Sequence, residues 1–210
     1  MVRIYRIRCG TGNCFLIQEN DNVVLVDTAT TRYRDKVLKI CKHKNIKLIL
    51  LTHGHTDNVQ NAAYLSKKLN APIAMHRDDF NSLAKNQMEP MLAHGIFGKL
   101  LLRYSKKKNN REMIKPFYPA TFIRSGDSLY GFGISAIIVG LPGHTKGSIG
   151  VLVEDSDFIV GDALMNFAYP TKALIYGDRQ TMDESAFDIR ESGARVIHYG
   201  HGKSTANRGW

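Results

Sequence analysis

Leu48-Ile49-Leu50-Leu51-Thr52-His53-Gly54-His55-Thr56-Asp57-Asn58 is the stretch that organises the rest of the chain. Its first four residues form a continuous apolar run, the pattern of a strand buried on both faces within a helix-covered sheet. The run leads directly into His53, His55 and Asp57. In extended backbone, residues two apart point to one side. These three side chains therefore converge just beyond the strand's carboxyl end, where open α/β sheets bind ligands. Two imidazoles and a carboxylate at such a place suit Zn²⁺, Fe²⁺ or Mn²⁺. The competing reading is a polar loop in which Asp57 merely caps a helix beginning near Asn58.

Later segments weigh on that choice. Leu141-Pro142-Gly143-His144-Thr145 follows the apolar run 134–140, and Phe158-Ile159-Val160-Gly161-Asp162 again closes a strand in a carboxylate. Ile197-His198-Tyr199-Gly200-His201-Gly202 sets a histidine among glycines after the last strand. Segments far apart in the chain each deliver a ligand type at a strand end or in a glycine-bounded loop. A metal centre explains that coincidence and a set of unrelated loops does not.

Short β-type runs at 14–18, 23–26, 47–52, 72–75, 134–140, 149–154, 158–160 and 195–199 are separated by Gly, Asn and Asp. Amphipathic helical patterns lie between some of them, at 35–44 and 58–69. Strands alternating with helices predict an α/β chain, read as one domain over 1–210. Residues 78–120 break the rhythm. No convincing strand is visible there, while Ile96, Phe97, Leu100, Leu101 and Tyr104 recur at helical spacing among basic residues, which predicts a helical insertion. The alternating start, Met1 to Arg8, reads as an edge strand rather than a secretion signal, and no apolar run approaches the ~18 residues of a membrane span. Three cysteines, Cys9, Cys14 and Cys41, in a chain needing no staples fit reduced thiols and a cytoplasmic location.

The segments 53–58, 141–145, 161–162 and 200–202, with the openings Asn13-Cys14-Phe15-Leu16-Ile17 and Val24-Leu25-Val26-Asp27-Thr28, resemble the metallo-β-lactamase superfamily, in its glyoxalase II-like branch. The resemblance covers the chain apart from the insertion. It implies an αββα sandwich, two mixed sheets face to face with helices outside and metals in a cleft at one edge. It also implies two divalent ions, Zn²⁺ first, with Fe²⁺ or Mn²⁺ as alternatives. By that resemblance His53, His55 and His144 hold the first ion, Asp57 and His201 hold the second, and Asp162 bridges them. The departure is Asn58, which stands where the family usually places a histidine for the second ion. A neutral amide is a poor replacement for imidazole on such a cation, so the second site is expected to be weaker.

The implied function is hydrolysis of a small ester-like substrate, a thioester, lactone or related bond, by a metal-bound hydroxide that Asp57 orients and whose proton it passes on. Alternatives are a phosphodiesterase, a mononuclear iron persulfide dioxygenase and a non-catalytic metal-binding module with a decayed second site. Asp27 is expected to hold loops by hydrogen bonds, and His198 to pack or support rather than ligate. Lys146 and Ser148 are candidates to meet a carboxylate substrate, and Tyr169 to donate to an oxyanion. His43, His76 and His94 read as surface or packing residues.

The chain carries 29 Lys+Arg against 19 Asp+Glu, a formal charge of +10. Residues 32–47 and 99–115 each hold seven basic residues and one acid, so these two blocks carry +6 apiece and the remainder is slightly acidic. The excess therefore reads as a solvated helix and a basic insertion that draws anionic substrates, rather than as a nucleic-acid surface. The insertion's apolar stripe needs cover from the body, a ligand, a membrane surface or a second subunit, which would make a homo-oligomer.

Overall fold

The computed structural model describes residues 1–85, 90–96, 98–100, 102–103, 114–154 and 156–208. The first half of the chain runs β1 (Val2–Cys9), β2 (Gly12–Glu19), β3 (Asn22–Val26), α1 (Arg34–Cys41), β4 (Asn45–Leu50), α2 (Thr56–Val59), α3 (Ala62–Leu69), β5 (Ile73–Met75) and α4 (Arg77–Ala84). Then follow β6 (Leu92–Ala93), β7 (Thr121–Phe122), β8 (Ala136–Gly140), β9 (Ile149–Val153) and β10 (Asp157–Ile159). The chain closes with β11 (Leu164–Asn166), β12 (Pro170–Lys172), β13 (Ile175–Tyr176), α5 (Arg179–Glu191), β14 (Val196–His198) and β15 (Thr205–Ala206).

Among the described residues, one sheet has the order β1-β2-β3-β4-β5-β7 and the other β15-β14-β10-β9-β8. Both are mixed. In the first, β1-β2-β3 is an antiparallel meander and β3-β4-β5-β7 is parallel. In the second, β10 and β14 are parallel and the remaining pairs antiparallel. The period-2 alternation of each strand sorts its side chains between layers. Phe15, Ile17, Val24, Val26, Leu48 and Leu50 meet Ile138, Ile149, Val151 and Ile159 in a core between the sheets. Leu16, Leu25, Ile49 and Leu51 face the other way, against Val37, Val59 and Leu65 of the helices. Ile189 of α5 covers the outer face of the second sheet with Phe158 and Ile197. The layers are helix, sheet, sheet, helix, and β4 is buried on both faces, as its apolar run required.

Several local expectations change. The helix expected over 58–69 is two helices interrupted at Gln60 and Asn61. The Asn61 amide donates to the carbonyls of Thr28, Ala29 and Thr30, and Gln60 accepts the Thr31 N–H, so the break moors the loop after β3. The helix expected over 35–44 ends at Cys41. The insertion is not free of strands, because β6 pairs antiparallel with β13. Residues 95–96, 98–100 and 102–103 are helical, with Ile96 and Leu100 exposed, while Phe97, Leu101 and Tyr104 of the expected stripe lie outside the described residues. Cys9, Cys14 and Cys41 are buried free thiols. No helix among the described residues is long and apolar enough to cross a membrane.

Candidate metal centre

Four loops meet at one edge of the sandwich, each leaving the carboxyl end of a strand. The loop after β4 carries His53, His55 and Asp57; that after β8 carries His144; that after β10 carries Asp162; and that after β14 carries His201. Asp57 does not cap α2. His55 occupies the N-cap and makes no capping hydrogen bond, and Asp57 sits within the first turn.

His53, His55 and His144 form a tripod. Their ring centroids are 4.7–4.8 Å apart and their planes cross at 84–87°. One nitrogen from each lies within 4.8 Å of the others. The His144 Nδ1–H donates to the Ile175 carbonyl at 2.7 Å, which turns its Nε2 lone pair inward, 2.9 Å from His55 Nδ1. Thr52 Oγ1 lies 3.1 Å from His53 Nδ1, and the Thr52 amide and hydroxyl donate to Asp27 at 2.9 and 2.8 Å. With its hydroxyl proton directed to Asp27, Thr52 accepts from His53 Nδ1–H, which leaves His53 Nε2 as the lone-pair nitrogen. Asp27 itself has a left-handed φ of 62° and is fully enclosed. Burial pushes its carboxyl up to about 8 against the two Thr52 hydrogen bonds.

Burial lowers the basicity of all three tripod imidazoles, placing His53 well below its usual value and His144 at about 4. They are neutral near pH 7 and present lone pairs rather than charges, which is what a cation needs. Asp162 Oδ2 lies 3.7 Å from both His53 Nε2 and His144 Nε2, while its Oδ1 is buried without a hydrogen-bond partner. Asp162 Oδ2 beside the converging lone pairs fits a divalent cation, and the unpartnered Oδ1 makes that buried carboxylate costly without one.

The neighbouring group is looser. His201 Nε2 stands 3.3 Å from Asp162 Oδ2 and 3.4 Å from Asp57 Oδ2, with its Nδ1–H directed to the Thr11 carbonyl. Burial opposes charging all three, yet mutual attraction wins. His201 is held well above its usual value, Asp162 below the carboxylate range, and Asp57 at about 2. A protonated His201 between two carboxylates does in this arrangement what a second cation would do. Asn58 is buried, its amide nitrogen 3.0 Å from His53 Nε2. It therefore lies against the tripod.

Other candidates separate cleanly. Both ring nitrogens of His198 are engaged, with Ser204 and Asp157 at 2.8 Å each, so it supports the terminal loop and is not a ligand. Ser148 is buried and hydrogen-bonded to Thr145. Lys146 is exposed in the loop after His144, and Tyr169 is exposed on the β11–β12 hairpin, whose Phe167 ring lies 5.6 Å from His201. His43 and His94 are exposed, and His76 caps α4 by accepting from Asp78 N. Sequence reasoning missed two supports. Asn13 donates from its amide to the Tyr199 and Gly202 carbonyls on either side of His201, and Asp79 bonds both tripod loops. Glycines flanking the ligands were the available signal. A Cβ on Gly200 would overlap Asp162 Oδ1.

The family model described as metallo-beta-lactamase superfamily matches residues 7–201. The chain is similar to the hydroxyacylglutathione hydrolase GloC of Haemophilus influenzae, 26% identical over 178 residues covering 82% of this chain and 76% of that protein. It is also similar to the probable metallo-hydrolase YqgX of Bacillus subtilis, 24% identical over 92% of this chain and 86% of the relative. A metallo-beta-lactamase family protein of Thermus thermophilus shares the fold with a TM-score of 0.72 at 23% identity, over 97% of this chain and 75% of that one.

Proposed function

The chain belongs to the metallo-β-lactamase superfamily, and from that premise we propose that it is a metal-dependent hydrolase of a small, anionic substrate with a thioester, lactone or similar ester-like bond. The observation that carries this reading is the tripod of neutral His53, His55 and His144 facing one point. A divalent cation held there supplies Lewis acidity, lowering the pKa of a water and polarising a carbonyl oxygen. We assign the tight ion to the tripod with Asp162, and a weaker second ion to Asp57, Asp162 and His201. Zn²⁺ comes first, with Fe²⁺ or Mn²⁺ as alternatives. Asn58 supports this ranking, because a buried amide against His53 adds no strong ligand to the second ion.

The protein's own groups divide the remaining work. Asp57 keeps a 40% exposed carboxylate beside His201, placed to take a proton from water and release it to solvent. Thr52 and the Ile175 carbonyl fix the ring orientation of His53 and His144. Tyr169 offers a phenol to the developing oxyanion, and Lys146 a counter-charge to an anionic substrate. The Haemophilus influenzae relative is named for hydrolysis of hydroxyacylglutathione, a thioester, which supports placing that bond first.

The test is turnover of a lactoylglutathione-type thioester, a lactone and a bis-aryl phosphodiester, before and after chelation. Thioester hydrolysis lost on chelation and restored by added metal is expected. Metal-loaded protein that turns over none of the three would overturn the reading. Asn58 also favours a second reading, a mononuclear iron dioxygenase in which dioxygen is the oxidant of a persulfide. Oxygen uptake on glutathione persulfide, with iron in the purified protein, would select it.

A further inference from the structure

Asp79 is a carboxylate outside the ligand set, 3% exposed, in the first turn of α4. Its Oδ2 accepts the Gly54 N–H at 2.6 Å and the Thr145 hydroxyl at 2.9 Å, and its Oδ1 accepts the Gly147 N–H at 2.8 Å. Gly54 separates His53 from His55, and Thr145 follows His144. One side chain thus ties the loop after β4, in the first sheet, to the loop after β8, in the second.

We propose that Asp79 is a positioning residue that sets the spacing of the three-histidine site by clamping its two loops together. The proposal rests on the metal reading of that site. The geometry asks for a carboxylate specifically. Three donors converge on two oxygens, and with the Thr145 proton given to Asp79, its Oγ1 is left to accept from the Ser148 hydroxyl 2.7 Å away. An amide of the same size would set an NH₂ against an N–H donor and break one arm of the clamp. The glycines belong to the device. A Cβ on Gly147 would come within 2.5 Å of Asp79 Oδ1, and one on Gly54 within 3.4 Å of Oδ2. The loop after β8 could not approach the carboxylate so closely with a larger residue at 147, whereas a Cβ at 54 would only touch it. The distance from His144 to His55 is not set by local sequence, because the two are 89 positions apart. The Asp79 bonds link their two loops directly.

Replacing groups that orient metal ligands typically weakens binding by ~10–100-fold. The test is titration of Co²⁺ into the metal-free full chain, with affinity read by chelator competition and ligand geometry by the visible absorption envelope. Asp79→Asn should bind Co²⁺ ~10–100-fold more weakly and with an altered envelope. Thr145→Val keeps both backbone arms and should fall between it and the wild type. If Asp79→Asn does not fold, Thr145→Val decides. A variant with a lower melting temperature but wild-type affinity and envelope would make the clamp merely structural and overturn the proposal. A wild type that binds no Co²⁺ would instead overturn the metal reading of the site, and the proposal with it.

Discussion

Replacing Asn13 tests whether the loop carrying His201 is held by hydrogen bonds rather than by packing. The Asn13 amide donates at 2.9 Å to the Tyr199 carbonyl and at 2.8 Å to the Gly202 carbonyl, while its own N–H reaches the Gly200 carbonyl at 2.8 Å. In Asn13→Ala the backbone bond remains and both side-chain bonds go. The two losses are unequal. Gly202 keeps a second donor, Arg6 Nη1 at 3.0 Å, so its loss is that of an ordinary hydrogen bond, ~0.5–1.5 kcal/mol. Tyr199 O is buried and loses its amide donor, at ~1–3 kcal/mol. The sum is ~3 kcal/mol, which for a chain of this size lowers the melting temperature by ~6–12 °C. Asn13→Asp provides the control, because it preserves volume but sets a carboxylate against two carbonyls. It should cost more than alanine, whereas a packing role would make it nearly silent. Urea denaturation of the metal-free protein at pH 7 measures both. Asn13→Ala losing under ~1 kcal/mol, or Asn13→Asp proving milder than alanine, would refute the reasoning.

Other outcomes follow from the same geometry. Asn58→His should increase the metal retained after dialysis from near one to near two equivalents, read by elemental analysis; unchanged stoichiometry would count against a weak second site. Gly200→Ala pushes Asp162 aside and should lower metal affinity by at least the ~10-fold typical of a disturbed ligand shell, measured by chelator competition. Asp27 is raised to about 8 by burial, so the metal-free native state holds a proton that the unfolded chain has released above about pH 4. Its contribution to stability therefore falls as pH rises across that window, and Asp27→Asn should flatten the slope between urea midpoints taken at pH 5 and pH 7.5. The buried thiols, with Cys41 pushed up to about 12 by burial, should resist an aromatic disulfide reagent in the native state and react fully in denaturant.

The convergence of the candidate ligands was legible because they sit at strand ends, where a period-2 rule and a terminal apolar run fix both place and direction. Leu48 and Leu50 facing one layer with Ile49 and Leu51 facing the other is that rule at work. What escaped was set by partners remote in sequence. The break between α2 and α3 exists because the Asn61 amide binds carbonyls about 30 residues earlier, and nothing in the helical pattern of 58–69 announces it. The two-residue strand β6 forms only against β13, some 80 positions later. Asp79 stands in His76-Arg77-Asp78-Asp79, which reads as the acidic first turn of a helix, and its neighbours come from two other loops. Asp78 beside it is exposed and does only that local work.

The pairing of β6 with β13 also bears on how such a chain can be re-engineered. The segment after α4 looks like a removable accessory, yet its strand lies alongside the one whose Ile175 carbonyl receives the His144 Nδ1–H at 2.7 Å. A graft that exchanges residues 78–120 wholesale would unzip β13 and leave that imidazole free to rotate. Exchanges confined to the stretch between β6 and β7 would keep the hinge pin in place. The chain thus carries an attachment bolted to the same beam that aligns His144.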